Sequence, residues 1–481
     1  MGKTLSMSRE KDYDLCIIGG GAAGLVTAAG AATLGAKVIL IEKNKLGGEC
    51  LYTGCVPSKA LIYSANTAYS INTAKQVGLS VNLNVVDQSA VMQHVDDVIK
   101  RIEPNDSPER FQKLGVEILF SKAKFVNAET LSVGQQTITA KNFVLATGSR
   151  PAIPSIKGID TIDYHTHETI FNLQENIKHL IIIGGGAIGC ELGQSFSRLG
   201  SDVSIVTRSG LMPREDQDMS EVIQQQFEVE GIELYLKKQV REVVKTKQGI
   251  AVHLDDPQMT VIEGSHLLIA TGRQSNIDNL GLEAAKVDTE NGFLILDSRL
   301  RTTNRHIFAC GDVAGPFLFT HMAEHQAGIV LRNTLFKLPV KSQTSRIPWC
   351  TFTAPELARV GLSEREALEK GVKHNVYTFP FDEIDRAITD DQTIGKAKII
   401  TSPRGKILGA CIVGPQAGEL IAEYTLAMSA GLSLSALSKA IHIYPTLAQI
   451  NRRVADQRLK AGLTENRKKW IKRLFGLRGR G

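Results

Sequence analysis

The stretch Gly47-Gly48-Glu49-Cys50-Leu51-Tyr52-Thr53-Gly54-Cys55-Val56-Pro57-Ser58-Lys59 sets two of the chain's seven cysteines five residues apart between glycines. Paired sulfurs can ligate a metal, staple a fold or carry electrons, and the surroundings must separate the three. A metal site needs further Cys or His at ligand spacing, and none follows nearby. A staple suits a secreted scaffold, whereas seven thinly scattered cysteines in 481 residues do not make one. A redox pair is the remaining reading. Lys59 comes one helical turn after Cys55, where its charge would stabilise a thiolate.

Around the cysteines stand elements that can hold nucleotides. The apolar run YDLCII (13–18) leads into Gly19-Gly20-Gly21-Ala22-Ala23-Gly24, then an Ala- and Gly-rich helical stretch, then KVILIE ending at Glu42. Gly19 allows a tight turn, Gly21 lets the backbone approach a pyrophosphate, and Gly24 lets helix and strand pack closely. Glu42, 18 residues on, is placed to accept hydrogen bonds from ribose hydroxyls. The pattern returns at 179–207, where HLIII precedes Gly184-Gly185-Gly186-Ala187-Ile188-Gly189 and DVSIVT closes the unit. This second strand ends at Thr207-Arg208 instead of an acid. Arg208, with Arg214 nearby, can pair with a 2′-phosphate, so NADPH is expected there, with NADH as the alternative.

Bulk composition agrees with a globular protein of about three domains. It is 43% hydrophobic and 22% charged, with no apolar run long enough to span a bilayer. The N-terminus is polar and lacks a signal-peptide core, so a reducing cytoplasm is the expected compartment. Gly2 followed by Ser6 fits the loose N-myristoylation pattern, as many chains do by chance. The net charge of +6 is uneven: residues 451–481 hold eleven Lys and Arg against two acids, leaving −3 for the rest. That remainder shows no second basic patch, and nucleic acid is not an expected partner. In the tail TENRKKWIKRLFGLRGRG, Trp470, Ile471, Leu474 and Phe475 form an apolar stripe. Lys468, Lys469, Lys472 and Arg473 cover much of the remaining helix surface. A solvated tail, a helix packed on a dimer, or an interfacial helix giving peripheral contact with the inner face of a membrane would each fit.

Taken together, GGECLYTGCVPSK after a dinucleotide fold resembles the redox-disulfide signature of the class I pyridine nucleotide-disulfide oxidoreductases. That family includes glutathione reductase, dihydrolipoamide dehydrogenase and mercuric reductase. Ala146-Thr147-Gly148, Ala270-Thr271-Gly272-Arg273, FACGDV with Asp312, FTAPELARVGLSE (352–364) and GPQAGELI (414–421) resemble further family segments. The resemblance implies an α/β chain of two doubly wound Rossmann-like domains plus an α+β dimerisation domain. FAD would be held by 10–160 with 283–345, NADPH by 161–282, a homodimer would form through 346–463, and 464–481 would be a basic tail. Gly48, Lys59, Gly148 and Asp312 would join the first fingerprint at FAD, and Gly272 the second at NADPH. Hydride from NADPH would reach the flavin and then Cys50–Cys55. Cys55 would lie against the flavin, Cys50 would be the interchange thiol, and Glu191 would pair with Lys59.

The resemblance also implies a histidine before Pro-Thr near the C-terminus and a glutamate four residues after that proline, an acid/base pair reaching the partner's site. Here Tyr444 and Gln449 stand at those positions, with His442 two residues away as a candidate substitute. Tyr444 and MPRED (212–216) are similar to mercuric reductase. That enzyme, however, ends in a vicinal cysteine pair and this chain ends RGRG, which argues against mercury as the physiological substrate. Ala187 takes the place of the aromatic that covers the flavin in glutathione reductase. The expected function is flavin-dependent NADPH oxidation with a non-glutathione acceptor: a metal ion, a quinone or an unusual thiol. The alternatives are a dihydrolipoamide dehydrogenase with an altered acid/base pair and a flavin redox sensor.

Overall fold

The computed structural model describes residues 11–81 and 85–479, which leaves Gly2 and Ser6 outside the described residues. The chain divides into two compact units: 1–184 with 241–252 and 263–343, and 185–240 with 253–262 and 344–481.

The first unit is built on a mixed sheet. Tyr13–Ile18 pairs in parallel with Val38–Glu42 on one side and with Gln136–Leu145 on the other; Val116–Phe120 and Ile307–Ala309 extend the parallel part. The first half of Gln136–Leu145 turns antiparallel to Thr130–Val133, which pairs with Ala123–Asn127. Leu15–Ile18 and Val38–Ile41 are wholly buried, as continuous apolar runs covered on both faces should be. The helix Ala22–Thr33 lies against Thr320–Leu335, and its small residues permit the close approach. A Cβ on Gly30 would come within 2.5 Å of the Leu331 side chain.

The strand His179–Ile183 pairs in parallel with His266–Ile269 in the same unit. The two ATG segments also meet there, because Ser149–Pro151 and Arg273–Ser275 form an antiparallel pair.

In the second unit, the helix Ala187–Arg198 precedes Asp202–Thr207, which pairs in parallel with Glu233–Leu236. A five-stranded antiparallel sheet runs in the order Pro348–Thr351, Glu356–Gly361, Ile407–Gly414, Lys396–Thr401, Asn375–Pro380. The helices Ala417–Ser429 and Gln449–Ala461 cover it, closing a core that includes Phe379, Phe381, Tyr424, Ile450 and Val454. The architecture is α/β with Rossmann-like sheets followed by an α+β C-terminal domain. Among the described residues no helix is long and apolar enough to cross a membrane.

The MPRED segment is structural. Glu215 forms a buried ion pair with Arg359 at 2.9 Å and accepts the Trp349 indole N–H. Asp216 accepts the backbone N–H groups of Glu364 and Arg365 at the start of Glu364–Glu369, and it faces Lys398. These carboxylates fasten the nucleotide-type fold of this unit to its antiparallel sheet.

Candidate active site

Cys50 belongs to the short helix Gly48–Tyr52, and Cys55 is the first residue of the next helix, Cys55–Thr73. The two cysteines therefore sit on two helices separated by a break at Thr53-Gly54. Gly47 and Gly48, at φ +104° and +60°, supply the left-handed turn that starts the first helix. Cys50 is half-buried and Cys55 exposed. A hydrogen bond with Cys55, followed by burial, pushes the Cys50 thiol well above its ordinary range. Thr320 Oγ1 lies 3.4 Å from Cys55 Sγ. At the first position of a helix, Cys55 meets the positive end of the helix dipole, which favours a thiolate. Lys59, one turn on, is half-buried, with Nζ 3.4 Å from Ser58 Oγ.

A cluster that sequence reasoning missed adjoins Cys50 in the chain. The Glu49 carboxylate takes a bidentate hydrogen bond from the Arg273 guanidinium, and His167 Nε2 lies 2.9 Å from Glu49 Oε1. Arg273 also donates to Ser149 Oγ at 2.7–2.8 Å and faces Asp312 Oδ2 at 3.3 Å. Ser149 in turn donates to Asp312 at 2.6 Å. Burial alone would raise the Glu49 carboxyl, but hydrogen bonds from His167 and Arg273 outweigh it and hold it below the usual range. Burial wins at Asp312, which is raised although Arg273 and Ser149 oppose the shift. The only sequence signals were an acid beside Cys50 and an arginine after the second ATG.

The first fingerprint has the shape of a dinucleotide cradle. Gly19 sits at φ +111°, where a Cβ would strike the Ala146 carbonyl at 2.3 Å; on Gly24 it would strike Gly19 O at 1.8 Å. Gly21 caps Ala22–Thr33 and faces Gly48, whose Cβ would meet Gly21 Cα at 2.6 Å. A bare backbone groove at a helix N-terminus suits a pyrophosphate, so the residues present fit FAD. Glu42 closes the groove, accepting the N–H groups of Gly20 at 2.6 Å and Asn44 at 2.8 Å. Gly148, at φ +69°, has nothing within 4 Å of its missing Cβ.

In the second fingerprint, Gly184 stands at φ +128° against the Ala270 carbonyl, and Gly272 at φ +136° has open space beside it. Gly186 caps Ala187–Arg198 and its own Cβ direction is open, again as a phosphate approach requires. Gly189 lies buried in the first turn of that helix. Arg208 is exposed just past Asp202–Thr207; Arg214 is exposed too, and its carbonyl accepts from Arg359 at 3.3 Å. Glu191 is buried, its Oε1 accepting the Phe352 N–H at 2.9 Å. Cys190 is fully buried, and burial raises its thiol; Cys16, Cys310 and Cys411 are likewise core residues.

In the C-terminal segment, Tyr444 is 67% exposed and its phenol is raised by a hydrogen bond to Asp385. Gln449 donates its amide to the carbonyls of His442 and Ile443 at 3.0 and 3.2 Å. The His442 side chain is only 7% exposed; Nε2 meets Glu423 at 3.0 Å and Nδ1 meets the Ala440 carbonyl at 3.1 Å. His442 and Tyr444 thus occupy opposite environments, one tied inward and one facing out.

Comparison with known proteins gives the family. Residues 13–327 match the pyridine nucleotide-disulphide oxidoreductase family, and 347–454 match its dimerisation domain. A mercuric reductase of Streptomyces lividans is 35% identical over 446 residues, covering 91% of this chain and 94% of its own. A dihydrolipoyl dehydrogenase of Thermus scotoductus is 34% identical over 448 residues, covering 91% and 96%. The Cu(II) complex of the HOCl-induced flavoprotein disulfide reductase RclA from Escherichia coli superposes with a TM-score of 0.82. It is 29% identical and covers 92% of this chain and 99% of that one. The chain accordingly belongs to the pyridine nucleotide-disulphide oxidoreductases, flavoprotein enzymes that work with FAD and a pyridine nucleotide.

Proposed function

We propose that this enzyme oxidises NADPH and delivers two electrons through Cys50 and Cys55 to an acceptor other than glutathione: a metal ion, a quinone or the disulfide of an unusual thiol. The observation that carries the reading is the C-terminal segment. Tyr444, a phenol that keeps its proton at neutral pH, replaces the imidazole that would protonate a leaving thiol. Gln449 donates its side-chain amide to two backbone carbonyls and brings no charge. His442 is already engaged at both ring nitrogens. A metal ion or a quinone leaves no thiolate to be protonated and does not need that machinery, which ranks both ahead of a disulfide.

Bound FAD would relay electrons between the nicotinamide and the sulfurs. Gly19, Gly21, Gly24, Glu42, Gly48, Gly148 and Asp312 would hold it within 10–160 and 283–345. Gly184, Gly186, Gly189 and Gly272 would hold the nicotinamide nucleotide within 161–282, with Arg208 and Arg214 on its 2′-phosphate. On reduction the Cys50–Cys55 disulfide takes two electrons and two protons. On delivery the two thiols lose them to the acceptor and the S–S bond reforms. The Cys50 thiol, held protonated, can donate to Cys55, while the helix terminus and Lys59 favour charge on Cys55. The segment 346–463 would form the homodimer. Ile441 and Ile443, 96% and 78% exposed, give its surface the apolar character that a partner subunit would cover.

The test is anaerobic and aerobic NADPH oxidation across lipoamide, glutathione disulfide, quinones and Cu(II) or Hg(II) thiol complexes. Brisk turnover with lipoamide would instead select a dihydrolipoamide dehydrogenase, and negligible turnover with every acceptor a redox sensor.

A further inference from the structure

We propose that the C-terminal helix Glu465–Phe475 is an interfacial helix that seats the enzyme on an anionic bilayer surface. The helix is well delimited: the Thr464 hydroxyl accepts the Arg467 N–H, and Gly476 ends it at φ +61°. None of its residues is buried, and Trp470, Leu474 and Phe475 are 63%, 57% and 67% exposed. With Ile471 they occupy one arc of the helix at 100° per residue. Arg467 falls angularly inside that arc but turns back to the Gly462 carbonyl at 3.2 Å, leaving the stripe apolar. Lys468, Lys469, Lys472 and Arg473 fill the opposite arc, and the sole acid of the helix, Glu465, is paired with Lys468 at 3.0 Å.

An isolated eleven-residue helix is marginal in water, so an uncovered apolar stripe calls for a surface that completes it. Charge complementarity selects the occupant. Two copies of this helix meeting face to face would bring basic rims together, whereas anionic headgroups would neutralise them while the stripe enters the acyl boundary. Nucleic acid would take up the charges and leave the aromatic stripe in water. On a bilayer, lipid-soluble acceptors such as quinones come within reach of the enzyme.

The experiment is cosedimentation of the FAD-loaded full chain with phosphatidylglycerol-containing vesicles and with pure phosphatidylcholine vesicles. A chain stopped at Leu463 and a Lys469→Glu/Arg473→Glu variant of the full chain serve as comparisons. The full chain should pellet with anionic vesicles only, with a blue shift of Trp470 emission. The stopped chain should stay in the supernatant, and the charge-reversed variant should bind more than about tenfold more weakly. Equal behaviour of the full and stopped chains overturns the proposal. So does binding indifferent to lipid charge, or a larger oligomer in the full chain with no vesicle binding, which would mean that a second copy covers the stripe.

Discussion

Glu49→Gln tests whether the cluster beside Cys50 holds the redox loop in place. Removing one partner of a buried ion pair typically costs about 3–5 kcal/mol. Two features lower that figure here. Glu49 is 28% exposed, and Arg273 keeps Asp312 at 3.3 Å and Ser149 within 2.8 Å, so about 2 kcal/mol is expected. Arg273→Met should cost more, because Glu49 would keep only His167 and Asp312 only Ser149 while the two carboxylates repel each other.

Amide exchange read by mass spectrometry reports this locally. Protection of peptides covering 46–60 should fall by about 30-fold at neutral pH in Glu49→Gln, since 1.4 kcal/mol is tenfold. The pH sign follows from the depressed Glu49 carboxyl. Its stabilisation is fully present above the usual carboxylate range near 4.3 and is lost as pH falls through the lower folded value. The gap between wild type and variant should therefore hold from pH 7 to about 5 and close below about 4. Equal protection at pH 7, or a gap unchanged at pH 3, refutes the reasoning.

Anaerobic NADPH titration of the yellow holoenzyme should give a long-wavelength thiolate–flavin absorption band; Cys55→Ser should abolish it, and Cys50→Ser should show it without reduction. Wild-type spectra from both variants would mean that the pair is misassigned. Arg208→Ala should lose about 1.5–3 kcal/mol of NADPH recognition, as for a charged hydrogen bond, with NADH kinetics unchanged. Equal wild-type kinetics with both cofactors would remove the basis of that expectation. Tyr444→His with Gln449→Glu should raise disulfide reductase turnover, a general acid being worth about 10²–10⁴-fold; brisk lipoamide turnover by the wild type would defeat the premise.

Local pattern made the nucleotide folds legible. Both fingerprints are contiguous, and each strand, glycine turn and helix stands where its own residues put it: Tyr13–Ile18, Ala22–Thr33 and Val38–Glu42, then His179–Ile183, Ala187–Arg198 and Asp202–Thr207. Pairings across long loops carry no such signal. Glu49 and Arg273 are 224 residues apart, and neither residue's neighbours announce the other. MPRED likewise reads as a motif, while its work, the Glu215–Arg359 pair and the Asp216 cap, depends on residues some 140 positions away. The Cys50–Cys55 spacing was plain, but the break between their helices was not. It lies in the backbone at Gly54, where φ −119° and ψ −110° interrupt the helix.

The C-terminal segment shows why a substitution at a family position is more than a missing group. Gln449 is buried, and both of its amide contacts go to carbonyls. A glutamate there would lose those donors and set its charge against the carbonyl oxygens of His442 and Ile443. His442 is meanwhile bound to Glu423, which also accepts the Asn451 amide at 2.8 Å. His442 and Glu423 thus tie the loop inward, while Tyr444 faces out with its phenol raised by a hydrogen bond to Asp385. Restoring the acid/base pair therefore requires Gln449→Glu to break two hydrogen bonds before it can orient an imidazole. The Ile443 carbonyl keeps the Thr446 hydroxyl at 2.7 Å, whereas the His442 carbonyl loses its amide donor, at about 1–3 kcal/mol where it stays unsatisfied. Tyr444→His alone should accordingly be the better tolerated variant, and the double substitution the less stable one even where it is the more active.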